Sequence, residues 1–305
     1  MQGLILLDKP EGITSFKAAA VLRALTGEKR IGHTGTLDPM ATGVLPILLG
    51  QATRMSSLLM TAEKRYTARL KLGVTTDTLD ITGHVCTRSA VTTTPQEFEA
   101  ALDRFRGEIT QLPPMYSAIK KDGVRLYELA RKGEKVERTP RQVEIKSLRL
   151  VEVPARDEYV IDVLCSKGTY IRTLADDIGR YLGCGATLTA LRRTMTAGFE
   201  IDRCTTLDTM QQEGVERYIL PPDAAVQHFA QVHVSMAQGV RFCNGGELFL
   251  SRLTLPDGLF DGALLRVYAP GGFLGLGRVD LQKQQLCVQC IIGGKALCSQ
   301  TKSGE

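Results

Sequence analysis

Four side chains in this sequence of 305 residues are of types that could do chemistry together: Asp38, Tyr66, Arg172 and His33. Asp38 lies in the stretch Gly32 to Pro46, which holds three glycines, two prolines and three threonines but little charge. Glycine lets backbone approach a ligand closely and proline fixes shape. So many breakers argue against a helix or a regular strand. A loop this poor in charge packs on the body of the protein. Asp38 precedes Pro39, which pushes its backbone toward the extended region, and a stiff support would then present one carboxylate. The competing local reading makes Asp38 a helix N-cap, with Pro39 at the first helical position. Arg172 falls in the first turn of a helix expected from Thr169, where the helix dipole disfavours a cation by about 0.3–1 kcal/mol. Its partner is either a distant anion such as Asp38 or Asp176, four residues along the same helix. Tyr66 follows the basic pair Lys64-Arg65 and is either a site residue or a strand-edge aromatic. His33 sits inside the glycine-rich stretch, where a structural hydrogen-bonding role is equally open.

The elements that must position these groups read as alternating strands and helices. Gly3 to Leu7 is an expected strand, and Thr14 or Ser15 caps a helix that runs to Leu25 and stops at Gly27. Val44 to Leu49 reads as a short buried strand and Ala52 to Met60 as helix. Tyr66 to Leu72 alternates apolar and polar residues as a half-buried strand does. Thr75 to Thr82 reads as a polar loop. Thr94-Pro95-Gln96-Glu97 is a capping box that opens a helix to Phe105. Strands are expected over Val143 to Val153 and Tyr159 to Cys165, a helix over Thr169 to Leu182, and one or two strands over Ala186 to Phe199. Pro221 to Ala230 reads as a linker. Beyond Gln231 the glycines become dense and the strands short, which suggests a small β-rich domain.

Composition narrows the function classes. A hydrophobic fraction of 43% and a charged fraction of 23% are those of a globular protein. No apolar run reaches the roughly 18 residues of a membrane span, and Met1 to Leu7 lacks the basic start of a signal peptide, so a cytoplasmic protein is expected. The eight cysteines then read as small buried hydrophobes. Cys287 and Cys290 have metal-ligand spacing, yet no second pair accompanies them. The phosphate-loop, HExxH, GxSxG and zinc-deaminase signatures are all missing. Chemistry that needs neither metal, redox carrier nor ATP is therefore expected. The formal charge of +5 is a mild bias toward polyanions. Residues 117–146 concentrate it, with nine Lys or Arg against five acids; this segment is either a solvated face or a grip on a polyanion. With no Trp and few aromatics, shape recognition of a folded RNA fits better than a run of stacking platforms on a single strand.

Taken together, GHTGTLDPMATGVLPILLG, KRYTARLKLG, CSKGTYIRTLADDIG and LGCGATLTALRR closely resemble the bacterial TruB family of tRNA pseudouridine synthases. LLDKPEGITS and LPPMYSAIKKDGVRLYELARKG match as well, so the resemblance runs in order over most of residues 1–210. The last part, with VSMAQGVRFCNGGEL and LLRVYAPGGFLGLGRV, resembles a PUA-type RNA-binding domain. The resemblance implies an α/β (α+β) fold with a mixed, largely antiparallel central sheet, a catalytic domain over 1–225 with the basic insertion 117–146, and a PUA-like β-barrel over 231–295. It implies conversion of uridine 55 in the tRNA T-arm to pseudouridine, with Asp38 catalytic. Tyr66 stacking on the target base, Arg172 pairing with Asp38, and Leu191 lining the pocket are implied as support. His33 is implied to enter the T-loop, Lys9 to be structural, and Lys64, Arg65, Lys120, Lys121, Arg125, Arg131 and Lys132 to meet RNA. The expected partner is tRNA, engaged by a monomer without guide RNA, membrane or cofactor. Two rivals remain at this point: a non-catalytic RNA-binding or tRNA-folding protein, and a guide-dependent enzyme of ribosomal RNA.

Overall fold

The computed structural model describes residues 1–117, 120–121, 123–131, 133–134 and 136–293, except for the side chains of 120, 121, 125, 127 and 131. The chain opens with strand β1 (Gly3–Lys9), helix α1 (Ser15–Thr26), and strands β2 (Ile31–His33) and β3 (Thr42–Leu49). A 3-10 turn at Gly50–Met55 and the short helix α2 (Ser56–Met60) lead to β4 (Lys64–Leu72). Then come a hairpin of β5 (Val74–Thr76) and β6 (Val85–Arg88), helix α3 (Pro95–Leu102) and β7 (Gly107–Gln111). The basic insertion carries β8 (Lys120–Lys121), β9 (Val124–Arg125) and α4 (Leu126–Arg131). After it run β10 (Arg141–Ala155), β11 (Glu158–Cys165), α5 (Ile171–Tyr181), β12 (Ala186–Thr196), β13 (Phe199–Glu200) and α6 (Leu207–Glu213). The last part holds β14 (Ala230–His233), α7 (Met236–Cys243), β15 (Leu248–Phe249), β16 (Leu264–Ala269), β17 (Gly272–Asp280) and β18 (Gln285–Ile291).

The helix ends follow from sequence. Thr14 accepts from the Lys17 amide at 3.0 Å to start α1, and Gly27, at φ +65°, ends it in the left-handed region that favours glycine. Thr94 and Glu97 form both halves of a capping box on α3. The central sheet runs β1-β3-β12-β4-β11-β10-β7, with β2 and β13 paired at the side. Its pairings are antiparallel except β12 with β3. Both faces are buried, and the period-2 alternation of strands assigns the residues. Ile5, Leu7, Leu45 and Ile47 point into the core under α1 and α5, while Leu4, Leu6, Val44 and Leu48 point into a second core on the other face. The free edge of β1 is closed from far along the chain: Leu4 exchanges backbone hydrogen bonds with Leu220, and the Thr205 amide donates to Leu6 while its carbonyl accepts from Asp8. A separate five-stranded sheet, β14-β16-β17-β18-β15, wraps its own core.

Three expectations change. The glycine-rich stretch is strand at both ends, β2 and β3, and Pro46 lies inside β3, where its carbonyl accepts from the Thr34 amide at 3.1 Å. The expected linker is instead packed: Pro222–Val226 forms a 3-10 turn whose Ala224, Ala225 and Val226 are buried in the second core beside Leu276 and Ile292 of the small domain. Its small apolar residues explain this better than its prolines. Of the cysteines, Cys165 and Cys184 are buried, but Cys86 on the β5–β6 hairpin is exposed. Cys298 and the tail around it lie outside the described residues.

Gly43 has φ +104°, and a Cβ there would come within 2.1 Å of the Arg193 carbonyl. Gly43→Ala is expected to destabilise the protein by about 2 kcal/mol or more, read as a lower midpoint in urea unfolding with an unchanged slope.

Candidate active site

The turn after β2 carries Asp38, but no helix follows it. Pro39 and Met40 turn back, with the Ala41 amide donating to the Asp38 carbonyl at 3.1 Å. The N-cap reading therefore fails, and the carboxylate is free to face elsewhere. It faces Arg172, whose Nε lies 2.9 Å from Asp38 Oδ2. The intrahelical alternative is also settled, since Asp176 pairs with Arg180 at 2.8 Å. The closest approach of the guanidinium to Asp38 is through Nε. Its other nitrogens are engaged: Nη1 donates to the Thr78 carbonyl at 3.1 Å and lies 3.6 Å from Asp80 Oδ2, and Nη2 donates to the Tyr116 carbonyl at 2.7 Å. These acceptors offset the unfavourable place of a cation in the first turn of α5.

Asp80 is the residue that sequence reading missed. The polar segment after β5 is an internal cage: the Thr78 hydroxyl, the Thr82 amide and the Thr82 hydroxyl all donate to Asp80 Oδ1, at 2.8, 3.0 and 2.6 Å. Leu79, at φ +65°, turns the backbone to make it. The signal was present as an aspartate between threonines, since such hydroxyls and amides are what a buried carboxylate needs. The two carboxylates differ in access, with side chains 35% exposed for Asp38 and 6% for Asp80. Burial is the largest influence on Asp38 and raises its pKa. Arg172 opposes that rise, and the Asp80 charge adds to it.

Tyr66 and Leu191 are both buried on neighbouring strands, where Leu191 pairs with Ala68 and Arg193 with Tyr66. Burial raises the Tyr66 pKa, partly countered by Arg193, so the phenol stays neutral. Arg193 is a second unforeseen residue. It is fully buried on β12, and it donates to the carbonyls of Val44 at 2.8 Å, Gly35 at 3.4 Å and Thr36 at 3.5 Å. It thereby laces the glycine-rich loop to the sheet. Lys9 does the same from β1, donating to the carbonyls of Pro10, Ile13 and Pro39, and burial pushes its pKa down to about 8. His33 ends β2. Its Nδ1 is buried without a hydrogen-bond partner, and burial beside Arg193 lowers its pKa, so the ring is neutral at pH 7.

Of the other candidate RNA contacts, Lys64 lies beside Arg193 and Gly35. Lys64 is buried with its ammonium on the carbonyls of Ala62 and Met60, and its pKa is pushed down to about 8. Arg65 holds Asp162 at 2.9 Å. Lys120 and Lys121 lie on β8, Arg125 on β9 and Arg131 at the end of α4, and their side chains are outside what is described. Lys132 lies outside the described residues altogether. Among the described residues, no group of three or more His, Cys, Asp or Glu is placed to hold a metal ion, and no helix is long and apolar enough to cross a membrane.

Comparison with known proteins gives concordant matches. Residues 23–171 match the TruB family pseudouridylate synthase (N terminal domain), and residues 172–227 match the tRNA pseudouridylate synthase B C-terminal domain. A protein of Azoarcus sp. (strain BH72) called tRNA pseudouridine synthase B is 46% identical over 281 residues, 91% of each chain. One of the same name from Alkaliphilus oremlandii (strain OhILAs) is 43% identical over 92% of this chain and 93% of its own. Among solved structures, a Cbf5-Nop10-Gar1 complex contains a chain similar at TM-score 0.73 and 27% identity, over 95% of this chain and 85% of that one.

The two neighbours of Asp38 predict opposite effects on its titration. Arg172→Met removes the opposing cation and should raise the Asp38 titration midpoint further above the ordinary 3.8. Asp80→Asn removes a neighbouring negative charge and should lower it. Carboxyl carbon shifts followed by NMR across pH 3 to 8, a range chosen around the ordinary carboxylate value of about 4, would read both directions.

Proposed function

The chain belongs to the TruB family of pseudouridylate synthases, and from that membership we propose that it isomerises uridine 55 in the T-arm of tRNA to pseudouridine. The observation that carries this reading is the 2.9 Å contact between a buried guanidinium and a carboxylate that still opens to solvent. Such a carboxylate is held in direction yet can reach a base brought to it from outside. The target uridine must leave its stack, which costs a few kcal/mol and least where it is already in a loop. The N1–C1′ bond then breaks, the uracil turns, C5 bonds to C1′, and the C5 proton leaves. Nothing is gained or lost overall, so the reaction asks for positioned charge and not for a carrier.

In this reading Asp38 acts as the carboxylate. It either attacks C1′ or C6 to form an adduct or removes the C2′ proton to give a glycal. Burial raises its pKa and the Arg172 guanidinium opposes that rise, so Arg172 favours the ionised form that either route needs. Tyr66, a neutral phenol, stacks on the uracil and hydrogen-bonds to it; acting as the base for the C5 proton would require its pKa to fall first. Leu191 closes the apolar side of the pocket, and His33 enters the T-loop as a neutral ring. The insertion 117–146 grips the T-arm backbone, and the region after residue 230 is a PUA-like RNA-binding domain. The protein acts as a monomer in the cytoplasm.

The guide-dependent reading has one observation behind it, the likeness to a Cbf5 chain at 27% identity. The relatives at 43–46% identity, called tRNA synthases, outweigh it. An unmodified tRNA transcript incubated with the purified protein alone should gain pseudouridine at position 55. Formation only with added guide RNA or partner protein would reverse this preference. Asp38→Asn should abolish turnover while RNA binding persists, and substantial product from that variant would remove Asp38 from its role. Replacing Lys120, Lys121, Arg125 and Arg131 with Gln should weaken RNA binding. The salt dependence should flatten by roughly 0.7–0.9 for each phosphate that is no longer neutralised, and an unchanged slope would leave the segment a solvated face.

A further inference from the structure

We propose that Phe16 is a stacking platform for an unpaired T-arm base next to the flipped uridine, a role that rests on the pseudouridine synthase reading above. At 72% exposure Phe16 is the most exposed large hydrophobic among the described residues. A lone exposed aromatic ordinarily needs no explanation. What singles this one out is its mount. Its neighbour Ser15 is buried, and the Ser15 hydroxyl both accepts from the Leu37 amide at 2.8 Å and donates to the Leu37 carbonyl at 3.1 Å. Leu37 immediately precedes Asp38. On the other side of Asp38, the Pro39 carbonyl accepts from the Gly12 amide at 2.8 Å and from Lys9 Nζ at 3.4 Å. The backbone that carries Phe16 is therefore tied to the catalytic turn both before and after Asp38.

The ring takes no part in the core. The buried positions of α1 are Ser15, Ala18, Ala19, Leu22 and Thr26, and Phe16 stands off that stripe. Around it the rim is made for RNA more than for an apolar partner. Thr36, Pro39 and Lys17 are exposed, the first turn of α1 contains no acid, and Glu11 is the acid of the loop before it. Extruding a uridine leaves the bases on either side with a bare face. An exposed aromatic ring on a segment tied to the Asp38 turn can cover one such face whatever the base, because every base has one. The low aromatic content agrees with a single platform at one place on a folded RNA and not with a row of them.

The test uses the full chain and an unmodified T-arm stem-loop RNA. Phe16→Ala should weaken RNA binding and raise KM on the order of tenfold, with kcat and melting temperature near those of the unaltered protein. Phe16→Trp should restore binding and Phe16→Leu should not. An abasic scan of the T-arm should find one position where removing the base weakens binding to the unaltered protein by about tenfold and leaves binding to the Phe16→Ala variant unchanged, as a shared contact requires. Binding indifferent to Phe16→Ala, equal rescue by Phe16→Leu, or an abasic scan with no coupled position would each overturn the proposal. Turnover of the same RNA by the unaltered protein is read in parallel. Its absence would overturn the synthase reading, whereas indifference of binding to Phe16 overturns the platform whatever the turnover.

Discussion

One guanidinium shared by two carboxylates sets the character of this site. Arg172 is nearly fully buried, and a buried charge is tolerated only when paired and hydrogen-bonded. Its partners come from three separate places: the Asp38 turn, the threonine cage with Asp80 and the Thr78 carbonyl, and the Tyr116 carbonyl at the root of the insertion. The two carboxylates are not equivalent. Asp80 takes three donors on one oxygen and is closed from solvent, so its carboxyl group is fixed in place. Asp38 keeps an open side. Burial raises its pKa, the Arg172 guanidinium opposes that rise, and the nearby Asp80 charge adds to it.

The second constraint is on the backbone that presents Asp38. Lys9 and Arg193 are fully buried and spend their hydrogen bonds on main-chain carbonyls, Arg193 on three of the glycine-rich loop and Lys9 on Pro39 of that loop and on Pro10 and Ile13 between β1 and α1. Lys64 does likewise for the turn before β4. These cations act as struts, because a carbonyl that bonds to a buried ammonium or guanidinium cannot relax toward water. Gly43 completes the arrangement by letting β3 lie against the Arg193 backbone closer than any side chain would permit.

Most of the scaffold is legible in the sequence because its signals are local. Thr14 and Gly27 bound α1, the Thr94 capping box opens α3, and the alternation of β4 shows in its residue types. The Asp38–Arg172 pairing is legible only as one of two partners for a cation in a helix's first turn, since Asp176 satisfies the same local rule. Asp80 escapes because a caged carboxylate and a solvated polar loop have the same composition; what separates them is the tertiary pairing of Ile81 and Leu79 with Leu188 on β12. Arg193 escapes because a charged residue on a strand reads as outward-facing until the carbonyls that receive it are known. The packed turn at Pro222–Val226 misleads for the converse reason, as its two prolines suggest a connector while Ala224, Ala225 and Val226 are its informative part.

The closure of β1 has a consequence for how the protein is made. Its first strand leaves the ribosome before any of its neighbours exist. β3 arrives soon enough to cover one edge, but the other edge waits for Thr205 and Leu220. During most of synthesis, then, a very apolar strand, Gly3 to Leu7, offers an open row of amides and carbonyls of the kind that recruits other chains. A strand made before its neighbours is finished by one of the last segments of the core to which it belongs. Folding of that core is thus a late event, and it depends on long-range closure more than on the helices that form early.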